Sequence, residues 1–160
     1  MTSGDHRPTA EGLDASGIRI GVVSTRWNDH IVERLTAGAW RAIDQTGAAG
    51  RDILVSGAFE LPFAARTVIE SGTVDALVVV GAVIRGETTH YEMVADSCAR
   101  GIMDVQLTAG VPIGMGVLTV ENEDQALARS EPAGGHNVGE EATLAALEMA
   151  LLAREESSGL

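Results

Sequence analysis

Apolar positions along the chain follow two alternating rhythms. Short runs rich in Val and Ile occur at residues 18–24, 53–55, 76–83 and 113–119, each of strand length and bounded by polar or glycine-containing segments. Between them, apolar residues return every three or four positions, the spacing of a helix face. The first such stretch, from Asn28 or Asp29 to Thr46, puts Ile31, Leu35, Ala39 and Ile43 on one face. Asn28 or Asp29 can cap it, and Gly47 and Gly50 end it. Residues 60–71 predict a second helix, with Pro62 tolerable only in its first turn. Residues 90–107, 122–130 and 139–155 predict three more, the last with Leu144, Leu147 and Leu151 on its apolar face. Pro132-Ala-Gly-Gly is a break before it. The run 76–83 is the most hydrophobic and predicts a central strand.

This β-α-β-α-β-α-β-α-α order predicts an α/β fold. Three layers, α/β/α, enclose a four-stranded parallel sheet with flavodoxin-like topology. Residues 1–15 are polar, carry Gly4, Pro8 and Gly12, and read as a flexible arm. Residues 16–160 read as one domain without repeats. Ligands of such sheets bind beyond the carboxyl ends of the strands. The loops to inspect are therefore 25–29, 56–60, 84–90 and 119–122.

Composition removes several chemistries. Of 160 residues, 23 are Asp or Glu and 11 are basic, giving a net charge of −12, and every basic residue is Arg. Without Lys there is no Walker-type phosphate loop and no lysine Schiff base. The acidic balance argues against nucleic acid and against an anionic membrane surface as partners. The single cysteine, Cys98, permits no intramolecular disulfide. With no apolar signal segment in MTSGDHRPTAEGLD, a reducing cytoplasmic location is expected. The longest apolar run is too short to span a bilayer.

The loops then supply candidates. Trp27, just past the first strand, can stack on a flat heteroaromatic ring, or cap the core or an interface. Gly57 permits close backbone approach, and Glu60 can accept hydrogen bonds from ligand hydroxyls or simply complement a helix dipole. Ile84-Arg-Gly-Glu-Thr-Thr-His-Tyr joins the most buried strand to a helix. Gly86 frees the backbone, and Thr88 or Thr89 can cap. Amides at that helix start bind an anion without Lys. His90, beside them, is the best-placed group for proton transfer near neutral pH, set against the reading of a solvated cap. Arg129 ends the short helix, either as a cation at a helix terminus or as a bidentate phosphate clamp. The four histidines show no metal-ligand spacing, so no metal site is expected.

Taken together, GAFELP at 57–62, GAVIRGETTHYEMVAD at 81–96 and PIGMGVLTVENEDQALAR at 112–129 resemble the lumazine synthases of riboflavin biosynthesis, over about residues 14 to 154. The resemblance implies a cofactor-free condensation. The amine of 5-amino-6-(D-ribitylamino)uracil attacks the ketone of 3,4-dihydroxy-2-butanone 4-phosphate. An imine forms, phosphate leaves, and ring closure with loss of water gives 6,7-dimethyl-8-ribityllumazine. It further implies that Trp27 stacks on the pyrimidine, that Ala58, Phe59 and Glu60 bind the ribityl chain, and that Val83 and Ile84 line the ring pocket. Gly86, Glu87 and Thr88 would form the phosphate loop, His90 the acid–base group, and Arg129 a phosphate ligand. Met115 stands where the family usually has an aromatic and would meet the pyrimidine edge through its backbone. Val138 stands where the family commonly has Lys, so weaker phosphate attraction and reduced activity are expected. The resemblance also implies a homopentamer, with Met115 and Arg129 supplied by a neighbour and the arm running along the adjacent sheet, or a sixty-subunit shell of pentamers. A weakly active or non-catalytic shell, scaffold or flavin-binding homologue is the alternative that Val138 leaves open.

Overall fold

Each apolar run becomes a strand in the computed structural model, which describes residues 7–159. The strands β1 (Arg19–Thr25), β2 (Ala49–Val55), β3 (Ala76–Ile84) and β4 (Ile113–Val120) form one parallel sheet in the order β2-β1-β3-β4. The helices are α1 (Asp29–Thr46), α2 (Leu61–Glu70), α3 (His90–Ala109), α4 (Glu123–Ala128) and α5 (Val138–Ser157). The three-layer parallel architecture is the one the alternation predicts.

Strand alternation divides the interior into two cores. Ile20, Val22, Val78, Val80, Leu118 and Val120 face α1 and α5, where they meet Ile31, Leu35, Ala39, Ile43 and Leu147. Val23, Leu77, Val79, Ile113 and Val117 face α2 and α3, where they meet Leu61, Ala65, Val68, Cys98 and Ile102. β3 is buried from Ala76 to Ala82 because it has a strand on each side and a helical layer on each face. A methyl group at Gly114 would collide with the Ala142 carbonyl, and one at Gly139 with the Leu35 carbonyl. α5 therefore lies directly on β4 and α1.

Two local expectations need correction. β2 begins at Ala49 rather than residue 53, and Gly50 lies within it instead of ending α1; Gly47, at φ +80°, ends the helix alone. β2 is an edge strand paired only with β1, so Arg51 and Asp52 can face solvent. Gly50 leaves room for Trp40, whose indole nitrogen donates to Asp52 Oδ1 at 2.9 Å. Trp40 is thus a packing residue. The second correction concerns residues 58–60, which form a separate 3₁₀ turn, so α2 starts at Leu61 with Pro62 in its first turn.

Part of the polar arm, residues 1–6, lies outside the described residues. Farther along, Ala15 is buried and its amide donates to the Thr46 carbonyl at 2.8 Å. No helix among the described residues is long and apolar enough to cross a membrane.

The topology also locates the site. From β1 the chain steps outward to β2, then crosses back to β3 and on to β4. The connections therefore diverge beyond the carboxyl ends of β1 and β3, which opens a crevice there.

Candidate functional site

At that divergence point, Asn28 is the one described non-glycine residue with positive φ, at 56°. Asn tolerates this left-handed conformation better than most residues. Although Asn28 holds the N-cap position of α1, its side chain makes no capping bond. Its Nδ2 instead donates across the crevice to the Ala82 carbonyl at 2.9 Å, which ties the loop after β1 to the carboxyl end of β3. The sharp turn at Asn28 leaves its neighbour Trp27 projecting outward, 73% exposed.

The loop after β2 comes up beneath that ring. The Arg26 amide donates to the Ser56 carbonyl at 3.2 Å, joining the two loops. A Cβ placed on buried Gly57 would lie 3.2 Å from Trp27 Cδ1 and 3.3 Å from Glu60 Oε2. Gly57 is thus the floor between the indole and the carboxylate, and its lack of a side chain permits that approach. Ala58 packs on the α2/α3 core, while Phe59 and Glu60 are exposed. The Glu60 carboxylate has no hydrogen-bond partner among the described residues.

Beyond β3 the segment 85–90 is exposed throughout. A Cβ on Gly86 would meet nothing within 4 Å, so packing within the chain does not require glycine there. Thr88 Oγ1 accepts from the His90 amide at 3.3 Å, whereas Thr89 occupies the N-cap position of α3 without a capping bond. The Glu87 and His90 side chains have no described partner. Val83 packs toward the α2/α3 core and Ile84 toward the α1/α5 core, so the two side chains diverge at the strand end.

The remaining residues singled out lie elsewhere in this chain. Met115 is half-buried in mid-strand, in register with Val79. At about 3.3 Å per residue it sits roughly 16 Å along β4 from the carboxyl edge. Arg129 closes α4 on the α1/α5 side and donates through Nη1 to the Gln125 carbonyl at 3.0 Å. The Arg129 carbonyl accepts from the Val138 amide at 2.9 Å, so the start of α5 holds Arg129's backbone while Val138 adds no charge. Within one chain, neither Met115 nor Arg129 reaches Trp27 and Glu60.

Arg85, to which the loop motif alone assigned no role, forms the densest polar cluster at this edge. It pairs with Glu92, pairs with Glu121 at 2.8 Å, and lies 4.4 Å from the Tyr91 ring centroid. Glu92 and Glu121 hold the guanidinium pKa above its ordinary value, and Arg85 holds Glu92 below the usual carboxylate range. The neighbouring Gly86 signalled the loop, but Glu121, far off in sequence, could not be paired with Arg85 before the fold was known. Burial pushes the Cys98 thiol up to about 11, so it stays protonated and packs as an apolar group. Among the described residues no group of His, Cys, Asp and Glu could hold a metal ion.

This edge combines an open aromatic face, a carboxylate free to accept hydroxyl protons, and a helix N-terminus beside an exposed imidazole. Such a set can hold a flat polar ring, a polyol and an anion together, and can move a proton between them. Residues 17–154 match the family model described as 6,7-dimethyl-8-ribityllumazine synthase. The chain is 46% identical over 154 residues to the 6,7-dimethyl-8-ribityllumazine synthase of Kineococcus radiotolerans, covering 95% of this chain and 94% of the relative. It is 44% identical over 146 residues to the enzyme of that name from Deinococcus deserti, covering 89% and 93%. It is 46% identical over 150 residues to that of Xanthomonas euvesicatoria pv. vesicatoria, covering 91% and 92%.

Proposed function

The chain belongs to the 6,7-dimethyl-8-ribityllumazine synthase family, transferases of riboflavin biosynthesis, and on that premise we propose that it condenses 5-amino-6-(D-ribitylamino)uracil with 3,4-dihydroxy-2-butanone 4-phosphate. The observation that carries this assignment to the carboxyl edge is the apposition of Trp27 and Glu60 over Gly57. Trp27 stacks on the pyrimidine. Glu60, with the turn at Ala58 and Phe59, accepts from the ribityl hydroxyls. Val83 and Ile84 border the ring, and Gly86, Glu87 and Thr88 cradle the phosphate ahead of α3.

The chemistry asks little of the protein beyond this. The substrate amine attacks the ketone and expels water to form an imine. Elimination then releases phosphate, and attack by the second amine closes the ring with loss of another water. The nucleophile belongs to the substrate, so a chain without lysine meets no obstacle and no cofactor is needed. Juxtaposing the two reactants supplies much of the acceleration. His90 takes and returns protons as water and phosphate leave.

The assembly is part of the proposal. Phe59, Phe63, Met93, Met103 and Leu107 are all more than half exposed on or beside α2 and α3. Large apolar side chains exposed in that number on one helical layer favour burial against other subunits. A homopentamer gives this face a partner and brings Met115 and Arg129 to the neighbour's crevice. A cytoplasmic location fits the lone buried thiol. Val138 contributes no cation beside Arg129, so phosphate attraction falls on Arg129 and the loop amides, and turnover is slower than with Lys at this position.

The test is to mix the purified protein with both substrates and follow lumazine absorbance and fluorescence. Product forming faster than the spontaneous reaction is the expected result. A rate equal to that background overturns the assignment, and a solution mass other than five subunits or a multiple of five overturns the assembly.

A further inference from the structure

The loop from Gly86 to Thr89 has little of its own to hold it. Its residues are exposed, and space above Gly86 is open. Its shape therefore depends on how its two ends are fixed. At the first end, the Arg85 amide donates to the Val120 carbonyl at 2.8 Å, extending the β3–β4 ladder one residue past the strand. The second end is the first turn of α3, and there the same residue acts again. The Arg85 guanidinium pairs with Glu92 and lies over Tyr91, both in that turn. One side chain thus spans the loop's two ends.

The contact continues away from the loop. Arg85 Nε meets Glu121 Oε2 at 2.8 Å. The Glu121 amide donates to Gln125 Oε1 at 2.8 Å, and the Gln125 carbonyl accepts from Arg129 Nη1 at 3.0 Å. A planar, five-donor guanidinium suits such a branched junction, and an ammonium could not fork in the same way.

Charge adds a second consequence. Glu92 in the first turn and Glu121 beside it are both acidic and lie next to the helix start where an anion would dock. In a chain of net charge −12 they would repel it. Arg85 neutralises them without itself being free to move.

We propose that Arg85 is a positioning residue: it fixes the Gly86–His90 loop and screens Glu92 and Glu121, so that the loop accepts a phosphorylated substrate. The proposal rests on the assignment of this loop to substrate phosphate. It separates the two substrates, because the pyrimidine is held at Trp27 and Glu60, which Arg85 does not touch.

The test measures KM for each substrate in wild type, Arg85→Gln and Arg85→Lys, alongside melting temperature and assembled mass. Arg85→Gln is expected to raise KM for the phosphorylated ketone about tenfold, with KM for the pyrimidine diamine changed less than about twofold. Arg85→Lys restores charge but not the fork, and recovers only part of that loss. It carries the test alone if the glutamine variant fails to assemble. Equal rises in both KM values, or wild-type values in Arg85→Lys, overturn the proposal. A parallel titration with inorganic phosphate, followed by the His90 ring signals, decides the matter without turnover. Weaker binding by the variants supports the role even if wild type makes no lumazine. Equal binding, or none by wild type, overturns it.

Discussion

At the amino end of the sheet Arg19 grips Asp75 with Nε and Nη2, each at 3.0 Å, and its backbone amide adds a third bond to the same carboxylate at 2.8 Å. Arg51 donates to Thr73 Oγ1 at 2.8 Å, and a cavity of about 190 Å³ lies between these groups. At the carboxyl end, Glu60 and His90 have no side-chain partner among the described residues. The two tryptophans repeat the contrast. Trp40 rests against Gly50 with its N–H bonded to Asp52, whereas Trp27 rests against Gly57 with its ring 73% exposed. A cavity lined by cations is therefore a poor guide to chemistry when every cation in it is engaged. Unused hydrogen-bonding capacity and an open aromatic face, gathered where the strand order reverses, are the better guide.

The largest effects should come from removing those open groups. His90→Ala is expected to lower kcat roughly 100-fold if it acts as acid and base. Trp27→Ala should lower kcat/KM by roughly ten- to a hundredfold, the scale of a lost stacking interaction. Neither change should move the melting temperature or the assembled mass, since both side chains are exposed. Asp75→Asn at the other end should leave kcat/KM within about twofold of wild type. Steady-state kinetics on the three variants check this, and wild-type kinetics in His90→Ala would remove its role.

The two glycines beneath the tryptophans offer a finer test. A Cβ at Gly57 lies 3.2 Å from Trp27, at a φ of −158° that any residue adopts. Gly57→Ala is therefore expected to displace the indole and reduce kcat/KM several-fold with little loss of stability. At Gly50 a Cβ would come within 2.9 Å of Ile43 Cδ1 and 3.0 Å of the Trp40 ring. Overpacking there should cost about 1 kcal/mol while leaving the kinetics alone. Denaturation midpoints and initial rates on the pair give the comparison directly. The reverse pattern would mean that the two tryptophans have been assigned the wrong roles.

How much of this was legible from the chain depends on contact range. The faces of α1 and α5 were readable because Ile31, Leu35, Ala39, Ile43 and Leu147 recur at helical spacing, and all are buried. β2 was readable only in part, because an edge strand need not hide Arg51 and Asp52. Trp27, Glu60 and His90 stood out by loop position, which follows from the order of elements alone. The bond from Asn28 to Ala82 and the junction of Arg85 with Glu121 link distant segments, so no local pattern announces them. Arg129 stood out by its place at a helix end and Met115 entered only through resemblance, and a single chain does not carry them to Trp27.

The smallest effect tests the satisfied end through pH. The hydrogen bonds from Arg19 hold the Asp75 carboxyl below the usual range, against a smaller opposing effect of burial. A carboxylate whose folded-state pKa is depressed stabilises the fold above its unfolded value, about 3.9, and that contribution disappears as pH falls through the lower folded-state value. Wild type should therefore exceed Asp75→Asn in denaturation midpoint by a constant margin from about pH 5 to 7, and the margin should shrink below about pH 4. Because the pair is partly exposed, 52% for Arg19 and 36% for Asp75, the margin is small and diminishes further at high salt. A margin that ignores pH would mean that the carboxylate's charge contributes nothing at this end. The contrast between the two ends would then rest on shape and hydrogen bonding alone.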